Sequence, residues 1–232
     1  MTKKRVQRYV KEGRRVHQPR ILVAGYGAWA KAENNPAAQV VGELGKRSWT
    51  GCEVIGHVMA VNSDDLPASI DALLDAHRPD AWVGMGVSEA AIIQTEMVGI
   101  NWRHFDVPDS SGAQVDLSPV VAGGPVAYGA TLPHAEMVAA VNAAGIPAAV
   151  SFHAGTHLCN QMLYTTAHAI QKRGLQTLTG FIHVPQTPGN VARMEGRKRQ
   201  MASMSLAMTT DAIAICIDTL ASVLTARQTE TV

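Results

Sequence analysis

Residues 148–184 hold the pattern that decides the fold. Ala148-Ala149-Val150-Ser151-Phe152 is a short extended run. His153-Ala154-Gly155-Thr156-His157-Leu158-Cys159-Asn160 then leads into a helical stretch, expected over 154–172. Leu178-Thr179-Gly180-Phe181-Ile182-His183-Val184 is a second apolar run, closed by Pro185. A strand, a small-residue turn, a helix and another strand in that order form the repeating unit of an α/β sheet. Working outward, the same alternation recurs. Ile21-Leu22-Val23-Ala24 ends at Gly25 as a first strand. Asn35-Pro36 opens a helix to about Lys46, with proline at the first helical position, where its missing N–H costs nothing. Residues 54–61, 81–84 and 92–100 read as strands, 64–77 and 132–144 as helices, and 194–225 as a closing helix. The Gly-, Pro- and Ser-rich segment 106–128 reads as loop. No internal repeat or interdomain linker appears. The expectation is a single-domain three-layer α/β/α sandwich with a mostly parallel twisted sheet over residues 21–232, preceded by a basic N-terminal extension, residues 1–20.

Composition narrows the functional classes. The chain has 232 residues, 47% hydrophobic and 17% charged, which excludes a disordered chain or a coiled coil. A net charge of +1 argues against bulk nucleic-acid binding. The first 20 residues carry Lys3, Lys4, Arg5, Arg8, Lys11, Arg14, Arg15 and Arg20 against Glu12 alone. No apolar core of a secretory signal follows them, so they read as a solvated extension, with a transit peptide or nucleic-acid arm as the rival. The apolar region from Met201 to Leu224 is interrupted by Thr209, Thr210, Asp211 and Asp218, which makes it a buried or oligomer-facing helix rather than a membrane span. Three cysteines cannot all pair within one chain, and a reducing, cytoplasmic compartment is expected.

Three segments carry candidate chemistry. Cys159 falls in the first turn of a helix, where unpaired N–H groups favour thiolate and can hold an oxyanion. The same thiol also reads as a small buried hydrophobe. His183 lies near the end of an apolar strand, suited to a general base or equally to a hydrogen-bonded structural role. Glu96 interrupts the β-type run Thr95-Glu96-Met97-Val98-Gly99-Ile100-Asn101. If it faces inward its carboxylate needs a partner, for which a histidine ring N–H is suited, and on an edge strand it is merely solvated.

These segments occur together in one known family. The chain resembles pyroglutamyl peptidase I, a cysteine peptidase with a Glu/Cys/His site. The resemblance runs from about Ile21 to Leu220 and rests on several strings in order: Gly25-Tyr26-Gly27-Ala28-Trp29 with Asn35-Pro36; Glu96-x-Val98-x-Ile100-Asn101; Pro108-Asp109; Ala154-Gly155-Thr156-x-x-Cys159-Asn160; Gly180-Phe181-Ile182-His183-Val184-Pro185; and Met204-Ser205-Leu206. It implies Cys159 as nucleophile, His183 as base and Glu96 as the group orienting His183. It also implies removal of an N-terminal pyroglutamyl group from a small peptide or amide substrate. No cofactor or metal is required, and assembly as a homo-oligomer, dimer or tetramer, is expected.

Departures gather in the implied substrate pocket, expected to use Tyr26, Trp29, Gly86, Val87, Phe152 and His157. Tyr26 and Trp29 stand where the family has smaller or less polar aromatics. Gly86-Val87-Ser88-Glu89-Ala90 replaces a stretch that contains an amide side chain. Asp106 replaces an arginine, with Arg103 three residues earlier, and His153 and His157 flank the nucleophile. The alternatives are therefore hydrolysis of another cyclic or aromatic amide, or a non-catalytic binding protein of the same fold. His153, His157 and Cys159 also invite a metal reading, weakened because they straddle the strand-to-helix turn.

Overall fold

The centre of the molecule is a sheet whose inner strands are buried on both faces. The computed structural model describes residues 17–29 and 34–230. Residues 1–16 of the basic extension lie outside the described residues. The strands of the main sheet are β1 (Arg20–Tyr26), β2 (Glu53–Met59), β3 (Ala81–Val87), β4 (Ile93–Glu96), β7 (Ala148–Ser151) and β8 (Leu178–Val184). Among the described residues these six lie in the order β2-β1-β3-β8-β4-β7. Every neighbouring pair is parallel except β4 with β8, which is antiparallel. The expected mostly parallel α/β sheet is borne out.

Two apolar layers sandwich it. On one face Val23, Val83, Met85, Ile182 and Val184 pack against α1 (Pro36–Leu44), α3 (His134–Ala143) and α6 (Leu206–Glu230). On the other, Leu22, Ala24, Trp82 and Phe181 pack against α2 (Leu66–His77) and α4 (Leu158–Lys172). The start of α1 is built as its sequence dictates. Asn35 Oδ1 accepts from Ala37 N at 2.9 Å, and Pro36 occupies the first turn. Helix α6 is long and apolar enough, by length and composition, to cross a membrane. Here Ala212, Ile213, Cys216, Ile217, Leu220 and Leu224 recur at helical spacing and enter the core, which makes it a core helix.

Four local expectations are corrected. The run 92–100 is two strands. The chain leaves the main sheet at Met97, and β5 (Val98–Ile100) pairs instead with β6 (Ala127–Gly129), inside and just beyond the segment read as loop. The departure lets β5 lie against α4, so closely that a Cβ on Gly99 would meet Tyr164 N at 2.9 Å. Helix α4 starts at Leu158 rather than 154, because Gly155 takes a left-handed φ of 78°. The closing helix begins only at Leu206. Before it come α5 (Pro188–Arg193) and a 3-10 turn over Gly196–Gln200 entered through left-handed Gly196, and Ser205 Oγ accepts from Met208 N at 3.1 Å to cap α6.

Candidate active site

All seven positions of β8 are buried, and His183 lies one residue before its end. Antiparallel pairing sets Glu96 opposite Phe181 and Gln94 opposite His183, so all four side chains share the face that meets α4. From this register Glu96 reaches His183 diagonally. His183 Nδ1 donates to Glu96 Oε1 at 2.7 Å, with the two side chains 8% and 1% exposed. A carboxylate only accepts, so the proton sits on Nδ1 and Nε2 is left for another partner. The Cys159 side chain lies beside the same ring, close enough to act on its protonation. Burial works against charge on His183. The adjacent Cys159 thiolate, by charge and hydrogen bond, and the Glu96 carboxylate outweigh it and lift the imidazole to about 10. Glu96 Oε2 is buried and has no hydrogen-bond partner among the described residues.

Cys159 is the second residue of α4. Among the described residues no side chain caps the start of this helix: His157 at the N-cap is extended, with φ −86° and ψ −164°, and its ring turns to Val107 O. The first-turn N–H groups beside the sulfur are therefore free to meet an anion. Gly86, paired in register with His183, lies directly beneath the sulfur. A Cβ there would stand 2.7 Å from Cys159 Sγ and 2.9 Å from Phe181 Cζ. Tyr26 ends β1 and is 4% exposed, and its hydroxyl donates to Leu158 O at 2.8 Å.

The other expected pocket residues divide. Trp29 and His157 come together, with ring centroids 5.2 Å apart, and Phe105 lies 4.2 Å from the His157 ring on its own side. Trp29 Nε1 donates to Pro108 O and His157 Nε2 to Val107 O, which fixes these rings near the start of α4. Val87 packs against the opposite layer, with α1 and α6, and is not brought to Cys159. Phe152 is 71% exposed. Arg103 is held by Ser63 and Ser118, and Asp106 pairs with His104 on the surface. Among the described residues no three His, Cys, Asp or Glu side chains are placed to share a metal ion.

Sequence reasoning missed the residues that fix the helix carrying Cys159. Asn160 accepts from Ile100 N at 2.8 Å and donates to Ile100 O and Trp102 O at 2.9 Å each, tying α4 to β5. Gln161 exchanges hydrogen bonds with Ser63 through Oγ and O. Asp109 accepts from Ser63 N, Ser111 and Ala113 N. Burial alone would raise its carboxyl, and these bonds hold it below the usual range. Two adjacent amides at inward positions of an apolar helix were the available signal, since buried amides require partners.

Against this geometry, residues 19–223 match the family model described as pyroglutamyl peptidase. The chain belongs to the pyroglutamyl peptidase family. This pyroglutamyl peptidase family member is 35% identical over 204 residues to the pyrrolidone-carboxylate peptidase of Gloeobacter violaceus, covering 88% of this chain and 97% of that one. It is 34% identical over 180 residues to pyrrolidone-carboxylate peptidase 1 of Ralstonia nicotianae, covering 77% and 84%. Among solved structures, the pyrrolidone carboxyl peptidase of the hyperthermophile Pyrococcus furiosus superposes with a TM-score of 0.84 at 27% identity, covering 88% of this chain and 99% of that one. The resemblance and the cysteine-peptidase class expected from the sequence are borne out.

Proposed function

We propose that the protein is a pyroglutamyl peptidase I, which cleaves an N-terminal pyroglutamyl group from peptides through a thioacyl-enzyme on Cys159. The observation that carries this reading is the buried 2.7 Å contact of Glu96 with His183, whose ring lies beside Cys159. The Cys159 thiolate attacks the pyroglutamyl carbonyl, and a sulfur–carbon bond forms as the carbonyl oxygen takes the charge. Cys159 N–H, at the uncapped start of α4, holds that oxyanion. As the carbon–nitrogen bond breaks, His183 Nε2 gives its proton to the leaving amine. Water then adds to the thioester carbonyl, His183 takes its proton, and pyroglutamate leaves as the thiolate returns. Glu96 keeps the ring oriented and offsets its charge throughout.

Trp29 and His157 form the wall of the acyl pocket. Their tilted cluster with Phe105 also favours a second reading, the same chemistry on another cyclic or aryl amide. The free thiols Cys52, Cys159 and Cys216 support a reducing, cytoplasmic setting. Exposed Leu117, Val126 and Phe152 support self-association as a dimer or tetramer. The test is a panel of coumarin amides of pyroglutamate, other lactams and aryl acids, with Cys159→Ala as control. Release from the pyroglutamyl substrate, absent in Cys159→Ala, is expected. Preferred turnover of an aryl amide would install the second reading, and turnover in Cys159→Ala would remove the nucleophile from the scheme.

A further inference from the structure

The geometry points to Tyr26 as a positioning residue for oxyanion binding, acting through the peptide unit that joins Leu158 to Cys159. The carbonyl of Leu158 and the N–H of Cys159 belong to one planar group, so whatever fixes the first fixes the direction of the second. Tyr26 Oη donates to that carbonyl at 2.8 Å, across 132 positions of sequence. The phenol is anchored: Tyr26 is the last residue of β1, its backbone is paired in register with Met59, and its side chain is 4% exposed. Among the described residues no side chain caps the start of the helix, since His157 directs Nε2 to Val107 O instead of to the first turn.

The hydroxyl is also a dependable donor. Burial, and then the charge on nearby Cys159, push its ionisation well above the ordinary tyrosine range, so it stays protonated wherever the enzyme works. A hydrogen bond onto an amide oxygen polarises the amide and strengthens its N–H as a donor. Tyr26 therefore acts on the group that meets developing negative charge, while its own oxygen is committed to the backbone and does not read the substrate.

This inference rests on the thioacyl mechanism proposed above. The experiment compares wild type with Tyr26→Phe, which removes one oxygen and keeps the ring, using two readouts on the folded protein. The first is the burst of acylation with a pyroglutamyl-coumarin amide. The second is alkylation of Cys159 by iodoacetamide, which needs the sulfur nucleophile but develops no oxyanion. Acylation in Tyr26→Phe should fall about tenfold with KM within about twofold, less than the 10²–10³-fold typical of losing an oxyanion donor outright. Alkylation should keep the wild-type rate. Tyr26→Met, which also lacks the hydroxyl, should show the same split and guards against a fault peculiar to one variant. Wild-type acylation in both variants, or equal loss of acylation and alkylation, would overturn the inference. No release of coumarin from the pyroglutamyl substrate by wild type would instead strike the proposed function itself.

Discussion

Replacing Gly86 with alanine should abolish most of the activity while leaving the protein folded. The added methyl would lie 2.7 Å from Cys159 Sγ and 2.9 Å from Phe181 Cζ. Non-bonded heavy atoms settle about 3.5–4.0 Å apart, so the sulfur must retreat by about 1 Å. It cannot do so freely, because α4 is tied to β5 through Asn160 and to the segment after β2 through Gln161 and Ser63. A misplacement of about 1 Å at a reacting atom costs on the order of 10²-fold in rate. The packing cost of one extra methyl is about 1–3 kcal/mol, which for a chain of this length lowers Tm by roughly 2–12 °C. The assay pairs kcat/KM on a pyroglutamyl-coumarin amide with a thermal melt. Activity should fall by far more than any fraction unfolded at the assay temperature. Wild-type kcat/KM in a folded Gly86→Ala protein would show that the sulfur does not work from this position.

Two further outcomes follow from buried charge. Glu96→Gln keeps the shape of the contact with His183 but removes its charge, so kcat should fall about 10²-fold, the lower end of the general acid–base range, with KM little changed; wild-type kcat there would show that another group orients the ring. His134 is buried with both ring nitrogens unpartnered among the described residues, and burial lowers its affinity for a proton, outweighing the attraction of Glu96 and Glu136. An unfolded chain takes that proton near pH 6.5 and the folded one only below it, so stability falls as pH drops from about 6.5. His134→Leu should flatten this fall in melts from about pH 7.5 to about pH 5, and an unchanged slope would move the acid sensitivity to another group.

Some elements were legible because the determinants are local. β8 is found over 178–184 as read, since a mostly apolar run between Thr177 and Pro185, broken only by Thr179 and His183, suits a strand in a two-sided sheet. Asn35-Pro36 likewise announces the start of α1 within two residues. The direction of β4 was not legible. Nothing in Ile93-Gln94-Thr95-Glu96 says that it runs against β8 while pairing in parallel with β7; the connections around it decide that. The same holds for the site. Glu96 and His183 lie 87 positions apart and their meeting depends on that reversed strand, so a sequence string shows the residue types without the contact. Tyr26 reads in sequence only as an aromatic, because its hydroxyl's partner, a backbone carbonyl, leaves no trace in side-chain identity.

The reversed pairing of β4 against β8 has a wider consequence. The carboxylate and the imidazole sit two rungs apart on one face of one ladder, so their spacing is inherited from main-chain geometry instead of from a loop that can relax independently. Catalytic competence and integrity of the central sheet then become a single property. On heating, such an enzyme should retain its specific activity up to the cooperative transition and lose both together, which makes turnover a faithful gauge of how much protein is native.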